Sequence, residues 1–351
     1  MHPDGMIKEE AGDLSVQWKP DAGSAPTGSP LFHVPGELLI PIDGAVWSDR
    51  VDALELVEAP PNLTPAQRDL LDLHVALYNA LGKVPWARGH QPDIALRPDE
   101  PLLRAIRAIR PQLAWVDEPV GAAFISTRTL GVKPRGPDGL ADPSLVERSV
   151  LMPLIDAMNH HPRGARLSLS ATGMEVGAWR PTGSSECFAN YGPRKDVLGL
   201  ALHYGFLEPE PIRARSAPID IEVADVGRVS VLATSVRSQH RLGPPTVSAT
   251  ADGIALSHVT FDRDRPEGFG VVVGMTVRSM ALRQGIPPRR AQGAAHEATG
   301  KLAAGNLVLL KRLAESASGA SKGHAAELVR QAAQLQAGVV RHAAGIEGDA
   351  R

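Results

Sequence analysis

Apolar residues recur at helical spacing in several parts of the chain. Thr64 can cap a helix and Pro65 can begin it, and leucines and valines then recur through residues 64–82. From Pro266 to the end the spacing is again helical. The small-residue segment 316–323 separates two apolar sets there, which predicts an αα-hairpin joined by a loop. Shorter helices are predicted at residues 100–109, 120–129 and 197–204.

Short apolar runs between Gly and Pro residues predict strands. They lie at residues 34–42, 166–169, 174–179, 219–223, 229–233 and 254–259. Residues 1–30, which are rich in Gly, Pro, Ser and Asp, predict a mostly irregular or edge segment, and residues 131–146 predict a surface loop because Pro and Gly recur in them. No repeat of fixed period runs through the chain.

Composition restricts the classes of function. The hydrophobic fraction of 43% and the charged fraction of 22% are ordinary for a globular protein of 351 residues. A net charge of −2 without a polybasic block disfavours nucleic acid as a partner. No apolar run approaches the length of about 18 residues that spans a bilayer, so we expect no membrane partner.

The cysteine count and the first residues bear on the compartment. Cys187 is the one cysteine of the sequence, which excludes an internal disulfide and fits a reducing compartment. The first ten residues are polar and acidic, so no secretory signal is expected. The abundance of Ala, Arg, Gly and Pro resembles a high-GC bacterial proteome. We therefore expect a bacterial, cytoplasmic protein.

Candidate chemistry lies in two short segments. The chain has three tyrosines, and two of them, Tyr191 and Tyr204, are each followed by glycine and stand thirteen residues apart. Upstream, an apolar run ends in Asp156-Ala-Met-Asn159-His160. A scarce residue type used twice in one short segment indicates a site, although buried tyrosines more often serve the core.

These segments resemble SET-domain methyltransferases of the plant-type branch, which includes Rubisco large-subunit lysine N-methyltransferase. The resemblance rests on residues 124–128 (Phe-Ile-Ser-Thr-Arg), on residues 152–160, and on Tyr191-Gly and Tyr204-Gly-Phe at the family's spacing. Residues 37–41 and 45–47 also resemble the first strands of that fold. The resemblance covers roughly residues 34–208.

The resemblance implies an α+β fold with three parts. Residues 34–208 would form a SET-domain β fold, in which the chain threads a pseudoknot-like arrangement and a helical insertion occupies about residues 57–125. The irregular segment 1–33 would precede it, and a mostly helical C-terminal domain, residues 209–351, would follow it.

The resemblance also implies the cofactor S-adenosylmethionine and a set of site residues. Tyr191 would be the catalytic residue, with its hydroxyl beside the transferring methyl group. Asn159 and His160 would hold the adenine and amino-acid parts of the cofactor, and Tyr204 would help to build the lysine channel or the cofactor wall. Arg128 would pair with the cofactor or brace Asp156. The full set implied for cofactor binding is Thr127, Arg128, Asp156, Asn159, His160, Tyr191, Tyr204 and Phe206.

Other patterns favour structural roles. No cysteine cluster and no ligand spacing accompany His160 and His161, so no metal is expected. Cys187 has no base motif beside it and is predicted to be a small buried residue. The glycines of residues 268–274 mimic a dinucleotide fingerprint without a βαβ context, which predicts a turn entering a helix. The arginines at positions 104, 107 and 110 predict a solvated helix face.

Three functions remain open on the sequence. The first is transfer of a methyl group to a lysine side-chain amine of a protein or peptide, with the substrate docked by the C-terminal helical domain. The second is methylation of a small amine or peptide in a biosynthetic pathway, which residues 27–32 motivate because they hold one glycine and a proline where the family has a Gly-x-Gly turn. The third is a non-catalytic SET-like binding protein.

Overall fold

The computed structural model describes residues 1, 5–10, 13–19, 30–96, 100–111, 118–132, 148–170, 172–192, 195–232, 245–320 and 323–346. The chain divides into two compact units. The first unit contains residues 1–88 and 118–193, and the second contains residues 89–117 and 194–351. Both units combine helices and strands, and the last third of the chain is helical, which confirms the α+β class.

Helices occupy all five regions in which the sequence predicts them, although the one predicted at residues 120–129 ends at Ser126. In chain order they are α1 Pro65–Ala80, α2 Lys83–His90, α3 Pro92–Ala95, α4 Pro101–Ile109, α5 Val120–Ser126, α6 Val197–Tyr204, α7 Pro266–Arg283, α8 Pro288–Gly319 and α9 His324–Ala343. The cap of α1 is confirmed, since the Gln67 N–H donates to Thr64 Oγ1 (3.2 Å) and the Thr64 N–H donates to Gln67 Oε1 (3.0 Å). None of the described helices combines the length and hydrophobicity that a bilayer crossing requires.

The first unit holds most of the strands. They are β1 Gly5–Glu10, β2 Asp13–Trp18, β3 Pro30–Pro35, β4 Ile40–Pro41, β5 Val46–Trp47, β6 Leu56–Glu58, β7 Thr129–Val132, β8 Arg148–Leu151, β9 His160–Leu169, β10 Gly173–Gly177 and β11 Ala189–Asn190. Its largest described sheet has the order β11-β9-β10-β3, in which β11 runs parallel to β9 and the other pairs are antiparallel. Its other described strands form a three-stranded sheet of order β4-β8-β7 and the hairpins β1-β2 and β5-β6.

The N-terminal segment differs from the prediction for residues 1–33. β1 and β2 pair in register as an antiparallel hairpin instead of an irregular stretch. The physical reason is the alternation of Leu14, Val16 and Trp18 with polar residues, which gives β2 one apolar face. Val16 and Trp18 are fully buried in the core of this unit. Residues 20–29, and with them the first half of the segment 27–32, lie outside the described residues.

The second unit joins small sheets to a helical array. Its strands are β12 Arg213–Arg215, β13 Ile219–Val223, β14 Gly227–Val231, β15 Val247–Ala249, β16 Gly253–Leu256 and β17 Thr260–Asp262. They form a four-stranded sheet of order β13-β14-β16-β15 and a pair β12-β17. One apolar core joins α4 and α6 to these sheets and to α7, α8 and α9. The αα-hairpin of α8 and α9 is confirmed.

Two predicted boundaries in the helical region were wrong. The loop expected at residues 316–323 is shorter, because α8 continues to Gly319 and α9 begins at His324. Small residues do not break a helix whose other face is packed, and Ala317 is buried here. Residues 268–274 lie inside α7, which Pro266 begins, and not in a turn. Most of the loop predicted at residues 131–146 lies outside the described residues.

Candidate active site

Tyr191 is held at both its backbone and its hydroxyl. The hydroxyl donates a hydrogen bond to the Met158 carbonyl oxygen (2.7 Å), and the backbone N–H donates to His160 Nδ1 (3.1 Å). The rings of Tyr191 and His160 lie 5.1 Å apart between centroids. Because Nδ1 of His160 accepts, a neutral His160 carries its proton on Nε2. The short turn 158–160 therefore orients the whole tyrosine.

Asn159 joins the same turn to the segment that leads to Tyr191. Its side-chain Nδ2 donates to Glu186 Oε1 (2.7 Å), and its carbonyl oxygen accepts the Ala189 N–H (2.9 Å). The sequence motifs indicated Asn159, His160 and Tyr191, and the structure brings these three together. Met158 and Glu186 were missed, since a carbonyl contact and a pairing across 27 residues leave no local pattern.

The segment that leads to Tyr191 pairs with β2 on one side. The Trp18 N–H donates to the Ser185 carbonyl and the Cys187 N–H donates to the Val16 carbonyl, both at 2.7 Å. The β1–β2 hairpin, which the sequence analysis did not predict, thus forms one edge of the candidate site. The alternation of apolar residues in β2 was the available signal.

The same segment pairs with β9 on its other side. The Ala165 N–H donates to the Phe188 carbonyl (3.0 Å), and β11 runs parallel to β9. Gly164 sits where a Cβ atom would lie 2.7 Å from the carbonyl carbon of Ala189. Only glycine allows two backbones to approach so closely. Residues 185–190 therefore run as a thread bonded to β2 and to β9.

The glycine after Tyr191 has a backbone reason. Gly192 has φ +118°, a conformation that L side chains rarely adopt, and its N–H donates to Asn190 Oδ1 (2.9 Å). In the second unit, Gly205 ends α6 with φ +72°. A Cβ atom on Gly205 would also lie 3.0 Å from the His90 carbonyl oxygen. In both Tyr-Gly pairs, the glycine therefore occupies a position where the backbone has a positive φ.

Arg128 and Thr127 lie at the end of α5. The Arg128 guanidinium carbon stands 3.6 Å from the Phe124 ring centroid. Its Nη1 donates to the Phe124 carbonyl (3.1 Å) and to Thr127 Oγ1 (2.6 Å). These contacts anchor the guanidinium to its own helix end. Asp156 belongs to a 3₁₀ turn, Ile155–Ala157, and its side chain lies outside the described residues, so its bracing by Arg128 stays a prediction.

Tyr204 and Phe206 belong to the second unit. Lys195 Nζ lies 5.0 Å from the Tyr204 ring centroid, within the range of a cation–π contact. The Phe206 ring lies 6.2 Å from that of Tyr204. The two aromatic residues therefore form one cluster at the C-terminal end of α6. Their part in a channel or cofactor wall stays a prediction.

A histidine beside Tyr204 is tied to a buried carboxylate. His203 Nδ1 lies 3.0 Å from Asp93 Oδ2, and the Asp93 side chain is 2% exposed. Burial lowers the pKa of His203, and the hydrogen bond with Asp93 opposes that shift. This pair was not foreseen, because 110 residues separate its members.

The start of α6 rests on a buried ion pair. Asp196 Oδ1 caps the helix by accepting the Gly199 N–H (2.8 Å), while its Oδ2 accepts Arg110 Nη2 (2.5 Å) and the Arg215 N–H (2.8 Å). The solvated face predicted for Arg110 was therefore wrong. Arg110 follows the last helical residue of α4, where the backbone leaves the helix and turns this side chain into the core.

Cys187 is a buried core residue, as predicted. Burial raises the pKa of its thiol to about 11, and the neighbouring Arg180 charge opposes that rise. A thiol of this kind is protonated at neutral pH and is a poor nucleophile. Within the described part of the chain, no three His, Cys, Asp or Glu side chains are grouped as metal ligands would be.

Comparison with known proteins gives structural relatives only. No protein-family model matches the sequence, and no curated protein matches it. Among solved structures, the chain is similar to the SET domain of LSMT bound to lysine and AdoHcy, with 13% identity and a TM-score of 0.46 over 98% of this chain and 86% of that one. It is also similar to Rubisco LSMT bound to AdoMet, with 10% identity and a TM-score of 0.41 over 98% and 87%. Both come from the family that the sequence motifs resemble.

Proposed function

We propose that this chain is a SET-type N-methyltransferase that uses S-adenosylmethionine to methylate a lysine side-chain amine of a protein. The observation that carries the proposal is the bond from the Tyr191 hydroxyl to the Met158 carbonyl, beside the Asn159-His160 turn. These are the residues on which the resemblance to the family rests. The Tyr191 hydroxyl and backbone N–H both bind the segment 158–160, which fixes the position of the phenolic oxygen.

The residues around Tyr191 fit a positively charged sulfonium cofactor. The Tyr191 hydroxyl donates its proton to Met158, and since a phenol oxygen can also accept, it can face a partly positive group. Bound S-adenosylmethionine would supply an electrophilic methyl group on sulfur. Asn159 and His160 would hold its adenine and amino-acid parts. Thr127, Arg128, Asp156, Tyr204 and Phe206 are proposed as further contacts.

The protein would accelerate methyl transfer mainly by orienting the reactants. Methyl transfer is an in-line displacement, and alignment of the reactants can lower the barrier by about 7–11 kcal/mol. The Tyr191 oxygen would favour the positive charge on the methyl group in the transition state, because it is fixed before reaction. A channel of low polarity would lower the pKa of the substrate lysine, so that its amine is neutral and nucleophilic.

We propose the helical C-terminal region as the place where a protein substrate docks. A groove of about 690 Å³ lies between α8 and α9, with an apolar floor that includes Leu310 and Ala337. Lys311 and Arg341 line its rim together with Glu315. Such a surface suits an amphipathic segment with an acidic residue. Substituting Val308, which lines this groove and is 49% exposed, by Asp should raise KM for a protein substrate and leave AdoHcy binding unchanged.

One experiment separates the three candidate functions. The protein is incubated with methyl-labelled S-adenosylmethionine and a bacterial lysate, and the products are resolved by size. Label in protein bands supports lysine methylation of a protein, and label only in small molecules supports the biosynthetic alternative. Stoichiometric binding of AdoHcy, measured by calorimetry, would count against the non-catalytic binding protein. Absence of both binding and transfer would remove the proposal.

A further inference from the structure

We infer that Glu186 is a positioning residue for Tyr191, an inference that rests on the methyl transfer proposed above. Glu186 lies five residues before Tyr191 and is half-buried. Its Oε1 accepts the Asn159 side-chain amide at 2.7 Å. Nothing in the resemblance to the family assigns this residue a role.

The Asn159–Glu186 contact joins the two segments whose separation fixes the position of Tyr191. Asn159 is the middle residue of the turn 158–160, whose ends bind Tyr191 through the Met158 carbonyl and His160 Nδ1. Glu186 lies on the strand-like thread that ends at Tyr191. A displacement of the turn relative to the thread would therefore move the Met158 oxygen away from the hydroxyl that it orients.

The backbone of Glu186 is fixed independently of its carboxylate. Its N–H donates to Ser184 Oγ (3.0 Å), and its chain neighbours Ser185 and Cys187 each bond to β2 at 2.7 Å. The carboxylate is thus presented to Asn159 from a braced position. An ionised carboxylate only accepts hydrogen bonds, and a bond from an amide to such a charge is stronger than one between neutral groups.

A structural role alone would lower stability without changing the environment of Tyr191 in the folded protein. The chain offers a direct readout, because it contains only three tyrosines: Tyr78, Tyr191 and Tyr204. With tyrosine labelled by ¹³C at the ring carbon that bears oxygen, the folded protein gives three signals. The signal of Tyr191 is assigned by its loss in Tyr191→Phe.

The test compares three variants. In Glu186→Ala we expect the Tyr191 signal alone to shift or broaden, and kcat to fall about 10- to 100-fold because the hydroxyl is no longer aligned. Glu186→Gln keeps an acceptor for Asn159 and should restore both the signal and most of kcat. Glu175→Ala is the matched control, since it removes a half-buried carboxylate bonded to His33 on the β10–β3 pair of the same unit.

An unchanged Tyr191 signal in folded Glu186→Ala, or equal disturbance of all three signals, would overturn the inference. Failure of Glu186→Gln to restore the signal would also contradict it. If the wild-type protein transfers no methyl group, the proposed function fails. The tyrosine signals still decide then whether Glu186 positions Tyr191.

Discussion

The hydroxyl of Tyr191 donates to the backbone carbonyl of Met158 across 33 residues of sequence. Neither residue lies in the interior of a long helix or a wide sheet. Met158 is fully buried, and Tyr191 is half-buried at the end of the two-residue strand β11. The bond depends on a thread of chain pressed between β2 and β9, so a change in that thread should reach the tyrosine.

Gly192→Ala tests the backbone beside Tyr191. No atom of the described residues lies within 4 Å of a Cβ atom built here, so we attribute the expected loss to the positive φ. We expect the free energy of unfolding to fall by about 1–3 kcal/mol. Urea denaturation measures it. Gly270→Ala in α7 is the control, because no atom in the described part of the chain lies within 4 Å of its Cβ position and alanine favours a helix by about 1 kcal/mol. Equal effects of both substitutions would contradict the conformational explanation.

Asp196→Ala tests the buried ion pair at the start of α6. The substitution removes the helix cap and leaves the Arg110 guanidinium buried without its carboxylate. We expect destabilisation of about 3–5 kcal/mol. Asp220→Ala, which breaks the exposed pair with Arg228, should cost less than about 1 kcal/mol under the same urea titration. A loss below about 1 kcal/mol for Asp196→Ala would mean that the pair contributes little.

The stability of the second unit should fall on acidification. Burial holds the pKa of His203 below its usual 6.5, so the unfolded chain binds the proton more readily than the folded one. The stability that the neutral imidazole contributes is therefore present above pH 6.5 and is lost as the pH falls through that value toward the lower folded pKa. Thermal unfolding between pH 8 and pH 5 measures it. His203→Gln should flatten the profile, while substitution of the exposed His296 should leave it unchanged.

The reactivity of Cys187 tests how well residues 185–190 are shielded by β2. With a pKa of about 11, roughly one Cys187 thiol in a thousand is ionised at pH 8, and burial hinders access as well. We expect iodoacetamide to modify native protein at least about 100-fold more slowly than urea-unfolded protein. Val16→Asp should accelerate the reaction, since it disrupts the strand whose carbonyl binds the Cys187 N–H. Unchanged reactivity in that variant would show that β2 does not shield the thiol.

Local signals explain which parts of the fold the sequence predicted. Thr64-Pro65 marks the start of α1, and the apolar run 197–204 coincides with α6, because caps and helical spacing act within a few residues. The hairpin of residues 5–18 was missed, since its Gly- and Asp-rich surroundings outweighed a short alternation. Residue types indicated Tyr191, Asn159 and His160. The hydrogen bond between Asn159 and Glu186, and the ion pair between Asp196 and Arg110, join residues far apart in the sequence, so no local pattern could predict them.

Turnover of Tyr191→Phe tests the central claim most directly. The variant keeps the ring and loses only the oxygen that the Met158 carbonyl orients. We predict that kcat for methyl transfer falls by at least about 100-fold while the Kd for AdoHcy stays within about threefold of wild type. Tyr78→Phe, the same change at the buried tyrosine of α1, should retain turnover within about threefold. Near-wild-type turnover of Tyr191→Phe would contradict a catalytic role for Tyr191.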